Sequence, residues 1–192
     1  MSRLPTLARS AAVALAATAA LALTACSGGA HGSGYTFEHA TKTGQLIAVG
    51  QRKPAEDVGG TLLSGGKTTL DAYKGKVVVL NFWASWCGPC TVETPQFDVM
   101  YRQLKASGVQ VLGVNTKNEK GPANAFVSNN DISFPNIYDE DGKVLLQLGN
   151  IPSAGLPVTV LVDKSQRVAA VYVGRLAVKQ VEPAVLKLRA ET

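Results

Sequence analysis

Residues 77–82 read Val77-Val78-Val79-Leu80-Asn81-Phe82, apolar at every position but one. A run of that length without alternation predicts a strand buried on both faces of a sheet. Residues 109–114 predict a second buried strand. Between the two, apolar residues at Val92, Phe97, Met100, Tyr101 and Leu104 predict a helix from Thr91 towards Leu104, with those positions facing the core. Ser107-Gly108 ends it, and Pro95 removes one backbone donor and should kink it. Upstream, residues 58–63 and 67–70 around Ser64-Gly65-Gly66 predict a β-hairpin, and residues 71–75 a turn. Downstream, the pattern predicts a helix over 122–129 opened by Pro122, an extended 134–138 and a turn at 139–142. A short helix follows at 144–148. Pro157 precedes a strand at 158–162, Asp163-Lys164-Ser165-Gln166 turns it into a strand at 168–173, and 177–188 closes as a helix that Pro183 bends or delays. Strands and helices alternate and an antiparallel pair finishes. The expected fold class is therefore α/β, a central mixed sheet flanked by helices with an N-terminal β-hairpin extension.

The first 25 residues do not belong to that pattern. Arg3 and Arg9 precede a small and apolar run over 11–25, too short for a spanning helix and shaped like a targeting segment. Leu23-Thr24-Ala25-Cys26 resembles a bacterial lipobox, which implies cleavage before Cys26 and a lipid on its sulfur. Residues 26–53, rich in Gly, Ser, Ala and Thr, read as a tether with a reach of roughly 30 Å, with some alternation over 35–49 that suggests an extra strand. The folded domain is expected over 54–192. The anchor places it on the extracytoplasmic face of a bacterial membrane, where disulfide chemistry is permitted. The 192-residue chain carries a net charge of +5, and about +3 without the two N-terminal arginines. The charges are scattered, so nothing points to nucleic acid. No phosphate-binding loop, flavin or metal motif is present, and no cofactor is expected.

Chemistry concentrates at Trp86-Cys87-Gly88-Pro89-Cys90, between the first buried strand and its helix. Two cysteines at this spacing can close a disulfide or open to a dithiol. Cys87 falls at a helix N-terminus, where unpaired N–H groups and the macrodipole favour a thiolate. Zinc needs four ligands, and the remaining candidates, Cys26, His31 and His39, all lie outside the expected domain. Thr91 stands where haem attachment needs His. No histidine beyond His39 could serve a cysteine protease. A structural disulfide closing so short a loop gains little entropy. Thiol–disulfide exchange is the chemistry that survives.

Residues 54–190 resemble the thioredoxin-like superfamily, and more narrowly the TlpA/ResA group of membrane-tethered extracytoplasmic thioredoxins. The resemblance is carried by Asn81-Phe82-Trp83-Ala84-Ser85-Trp86-Cys87-Gly88-Pro89-Cys90, by Glu93 and Pro95, and by Gly155-Leu156-Pro157 with the strand after it. It implies that Cys87 attacks, that Cys90 resolves, and that the two form the redox-active disulfide. It implies a cis-proline at Pro157, a substrate strand paired along Leu156, and Trp86 beside the site, with Trp83 either flanking it or in the core. Asn81 stands where many cytoplasmic thioredoxins carry a titrating aspartate, and asparagine cannot take a proton. Glu93, one helical turn beyond Cys90, is the expected replacement. The implied partners are protein thiols or disulfides, apocytochrome c among them, and a membrane redox protein as electron partner; the implied state is a monomer.

Gly88-Pro89 between the cysteines favours a reductant, with a disulfide-forming oxidase of secreted proteins as the alternative. A thiol peroxidase of the peroxiredoxin type would need a proline seven residues and a Thr or Ser three residues before its cysteine. Those positions hold Leu80 and Ala84. A non-catalytic binding lipoprotein on the same scaffold would typically have lost Cys87, Cys90 or Pro157, and all three are present.

Overall fold

The computed structural model describes residues 40–191, apart from 56, 57, 150 and 152–154. The expected targeting segment, Cys26, His31 and His39 lie outside the described residues. The main sheet has six strands, in spatial order β1 (Lys53–Pro54), β8 (Arg167–Val173), β7 (Val158–Val162), β4 (Val77–Trp83), β5 (Val109–Thr116) and β6 (Asn136–Asp139). Its middle is β4, Val77–Trp83, buried at all seven positions. β5, Val109–Thr116, and β6, Asn136–Asp139, run parallel to it on one side. On the other side β7, Val158–Val162, pairs antiparallel with β4, and β8, Arg167–Val173, antiparallel with β7. The short β1, Lys53–Pro54, lies on the outer edge of β8. β2, Gly59–Thr61, and β3, Lys67–Thr69, form the separate expected hairpin.

Alternation along β4 divides two cores. Val77 and Val79 point to the face covered by α1, Gly88–Leu104, and α4, Val178–Ala190, where Phe97, Met100, Val181, Val185 and Leu188 meet them. Val78, Leu80 and Phe82 point to the other face, against Leu70 and the four-residue α3, Val144–Gln147. α2, Lys120–Asn129, lies on the first face, with Phe126 and Val127 packed against its core.

Three local expectations change. Val92 is exposed, and the inward face of α1 carries Cys90, Glu93, Thr94 and Asp98 alongside Phe97 and Met100. Periodicity that counts only apolar residues missed this stripe because much of it is polar. α4 starts before Pro183, which sits inside it. Residues 40–48 form no strand, and a 3₁₀ turn follows at Val49–Gln51. They run along β8 nonetheless: Thr41 N–H donates to Val171 O and Ile47 N–H to Ala169 O, each at 2.7 Å. The buried Arg52 fastens this strap. Its guanidinium bonds Asp163 at 3.1 Å and both Glu191 oxygens at 2.5 and 2.9 Å, and its Nε donates to Ile47 O. Packing against the sheet thus starts before residue 54, because a guanidinium this deeply buried needs its carboxylates.

Candidate active site

The sheet delivers Cys87 to the start of α1. Cys87 is the helix N-cap, and its Sγ accepts from Cys90 N–H at 3.3 Å. Pro89, in the first turn, has no N–H to leave unpaired. A sulfur in this position faces the positive end of the helix dipole, which lowers the cost of a thiolate. Cys87 and Cys90 are joined as a disulfide with Cα atoms 5.2 Å apart. Cys87 keeps 5% of its surface exposed and Cys90 none, so only Cys87 has a face open to an incoming sulfur.

The two tryptophans diverge. Trp83 is fully buried, packs with Phe126 at 4.8 Å between ring centroids, and donates its indole N–H to Asn136 Oδ1 at 2.9 Å. It forms the floor of the cluster that holds both cysteines, Ala84 and Ala123, with Leu156 packed alongside. Trp86 is 62% exposed, and its indole N–H donates to Lys117 O at 2.8 Å. That bond holds a large apolar surface upright next to Cys87. Ser85 ties the same two loops together through Asn118 Oδ1. The Leu156–Pro157 peptide is cis, and Pro157 O accepts from Gly174 N–H at 2.9 Å.

Glu93 lies below this surface, with none of its area exposed. Its Oε1 accepts from Asn81 Nδ2 at 3.1 Å and Thr159 Oγ1 at 3.4 Å, and its Oε2 from Leu176 N–H at 2.7 Å. Thr94 Oγ1 donates in turn to Asn81 Oδ1. Burial pushes the carboxyl up from 4.5 to about 7, against the opposing pull of these donors and of Arg175. The group can therefore take or give a proton near neutral pH, as a buried asparagine at position 81 cannot.

The structure brings Cys87, Cys90 and Leu156 into one cluster, with Trp86 and Pro157 as their neighbours in the chain and Glu93 on the same helix. Sequence reasoning passed over Thr159, Asn136, Gly113 and the Leu176 N–H. A signal existed for Thr159: one hydroxyl inside an apolar strand, like Asn81, has to find a partner. Leu176 contributes through its backbone, which no side-chain pattern reports.

A dithiol or disulfide at the N-cap of the first helix, on a mixed sheet with a cis-proline opening the antiparallel strand, defines a thioredoxin-like thiol–disulfide exchange protein. Comparison with known proteins agrees. The family model described as AhpC/TSA family matches residues 51–171. The thiol-disulfide oxidoreductase ResA of Geobacillus kaustophilus is 35% identical over 149 residues, 77% of this chain and 81% of that protein. A secreted thiol-disulfide isomerase from Corynebacterium glutamicum superposes with a TM-score of 0.74 at 31% identity, covering 81% of this chain and 99% of that one. A DsbF homologue from Corynebacterium diphtheriae gives 0.69 at 33% identity, covering 74% and 90%. The chain belongs to the AhpC/TSA family of thioredoxin-like proteins, and it is a thiol-disulfide oxidoreductase.

Proposed function

We propose that the protein is a lipid-anchored reductant of protein disulfides on the extracytoplasmic face of the membrane, with the disulfide of apocytochrome c, opened to its haem-attaching thiols, among its targets. Cys26 carries the anchor, and residues up to the strap tether the domain. A substrate segment lies extended along Leu156–Pro157, against Trp86. Cys87 thiolate attacks one substrate sulfur, and the first substrate thiolate leaves and takes up a proton. Cys90 then gives its proton to Glu93 carboxylate and attacks Cys87 sulfur. The second substrate thiolate leaves, and the proton passes from Glu93 to it or to solvent. Two electrons have moved to the substrate, and the Cys87–Cys90 disulfide is reopened by a dithiol of a membrane redox partner.

The observation that carries the exchange steps is Glu93: a buried carboxyl one turn beyond the fully buried Cys90, held by three donors and pushed up to about 7 by burial. A buried resolving thiol needs a base, and Glu93 is the carboxylate on the inward face of α1 next to it. The direction of electron flow is tested by the reduction potential of the Cys87–Cys90 couple. A value near about −270 mV is expected for a reductant. A value near about −120 mV would overturn that direction in favour of a disulfide-forming oxidase.

A further inference from the structure

Residues 174–177 connect β8 to α4 and touch the site twice. Gly174 N–H donates to Pro157 O at 2.9 Å, and Leu176 N–H donates to Glu93 Oε2 at 2.7 Å. Arg175 stands between these two fixed points with its side chain exposed. Its backbone is thereby pinned to the cis-proline segment on one side and to the buried carboxylate on the other, and its charge is felt by Glu93. The other arginines among the described residues are engaged: Arg52, Arg102 and Arg167 with carboxylates, and Arg189 with Ser107 Oγ. No ion pair among the described residues uses Arg175. The backbone bond to Pro157 therefore sets an exposed arginine next to the segment 155–157. A guanidinium presents its donors as a planar fork that matches a carboxylate.

We propose that Arg175 is a specificity-determining residue that selects disulfide substrates carrying a carboxylate a few residues from the reacting cysteine. The proposal rests on the reading of Leu156–Pro157 as the segment where the substrate strand lies. A rim charge of this kind acts on the rate of encounter and the choice of partner more than on the chemistry that follows.

The test uses three disulfide-linked peptides, identical except for Asp, Asn or Lys two residues from the cysteine, and measures the rate of attack by the reduced protein. The expected order is Asp over Asn over Lys, with about two- to fivefold per step at low salt, the worth of one exposed ion pair. The order should collapse at about 0.5 M salt. Arg175→Lys should retain the order, Arg175→Gln flatten it and Arg175→Glu reverse it. A flat order in the wild type, or an order that Arg175→Glu leaves unchanged, overturns the proposal. N-methylation of the peptide amide next to the cysteine separates this from the docking reading. If it slows all three peptides while the order is flat, the strand docks and Arg175 does not select. If the order follows Arg175 and N-methylation changes nothing, selection stands and strand pairing falls.

Discussion

Glu93 is neutral in the folded protein up to a pH of about 7, whereas an unfolded glutamate ionises above 4.5. Between those values the native state binds the extra proton, so stability falls as pH rises through the window. The full cost, about 3 kcal/mol at 1.36 kcal/mol per pKa unit, is reached above pH 7. Glu93→Gln removes the titrating group. Denaturant unfolding of the oxidised protein should show the wild type losing stability from pH 4.5 to 8, and the variant nearly flat and more stable at pH 8. The same substitution should slow resolution of the mixed disulfide by about 10²-fold or more and erase an inflection near pH 7 in stopped-flow traces. Rates and pH profiles identical to wild type would remove Glu93 from proton transfer. The position of this residue was legible from its spacing after Cys90 and from the asparagine at 81. Its complete burial was not, because Thr159 and Leu176 reach it from strands and loops far along the chain.

The strands that frame the site depend on a missing side chain. Asn81 on β4, Gly113 on β5 and Asn136 on β6 are register partners in a row across the sheet. A Cβ on Gly113 would collide with the Asn136 carboxamide and meet the Phe134 ring at 2.9 Å. That vacancy lets Asn136 reach past β5 to the indole of Trp83. Gly113→Ala should therefore cost about 2–4 kcal/mol, combining overpacking with an unpaired buried indole N–H. Chemical unfolding measures that loss. In a Trp86→Phe background the fluorescence reports Trp83 alone, and its emission should shift when the bond breaks; unchanged stability and emission would deny Gly113 this role. A glycine inside a buried run is a known mark of close approach, but the sequence does not say what approaches. The order of elements was legible because β4 and β7 are nearly pure apolar runs, β5 is apolar over most of its first six residues, and turn residues punctuate them. The rest of the inward face of α1 was not, since Thr94 and Asp98 look like solvent positions until their partners are in place.

The strap makes the chain's two ends of the fold depend on each other. Arg52 joins residues just before β1 to Asp163 after β7 and to Glu191 after α4. Its hydrogen bonds hold the Glu191 carboxyl below its usual range, so this contribution is present above pH 4.5 and fades as pH falls below it. Arg52→Ala leaves the buried Asp163 with Arg167 alone, at 3.3 Å, and frees Glu191, and should cost about 2 kcal/mol. Hydrogen exchange at the Thr41 and Ile47 amides should accelerate well beyond that of the β8 amides; protection equal to wild type would show the strap held without its clasp. Nothing in a Gly- and Ser-rich stretch announces such a clasp, because both of its carboxylates lie over 100 residues away. On the far side of the sheet, Leu63 N–H donates to Asn136 O and Leu62 bridges Ile137, so the hairpin segment occupies the outer rim of β6 as the strap and β1 occupy that of β8. A protein that handles extended, unfinished polypeptides risks being built into them, strand on strand. Among the described residues both outer strands are thus partly covered, which leaves less bare edge for a second chain to extend. A partner held only through the sulfurs is let go once the exchange is done.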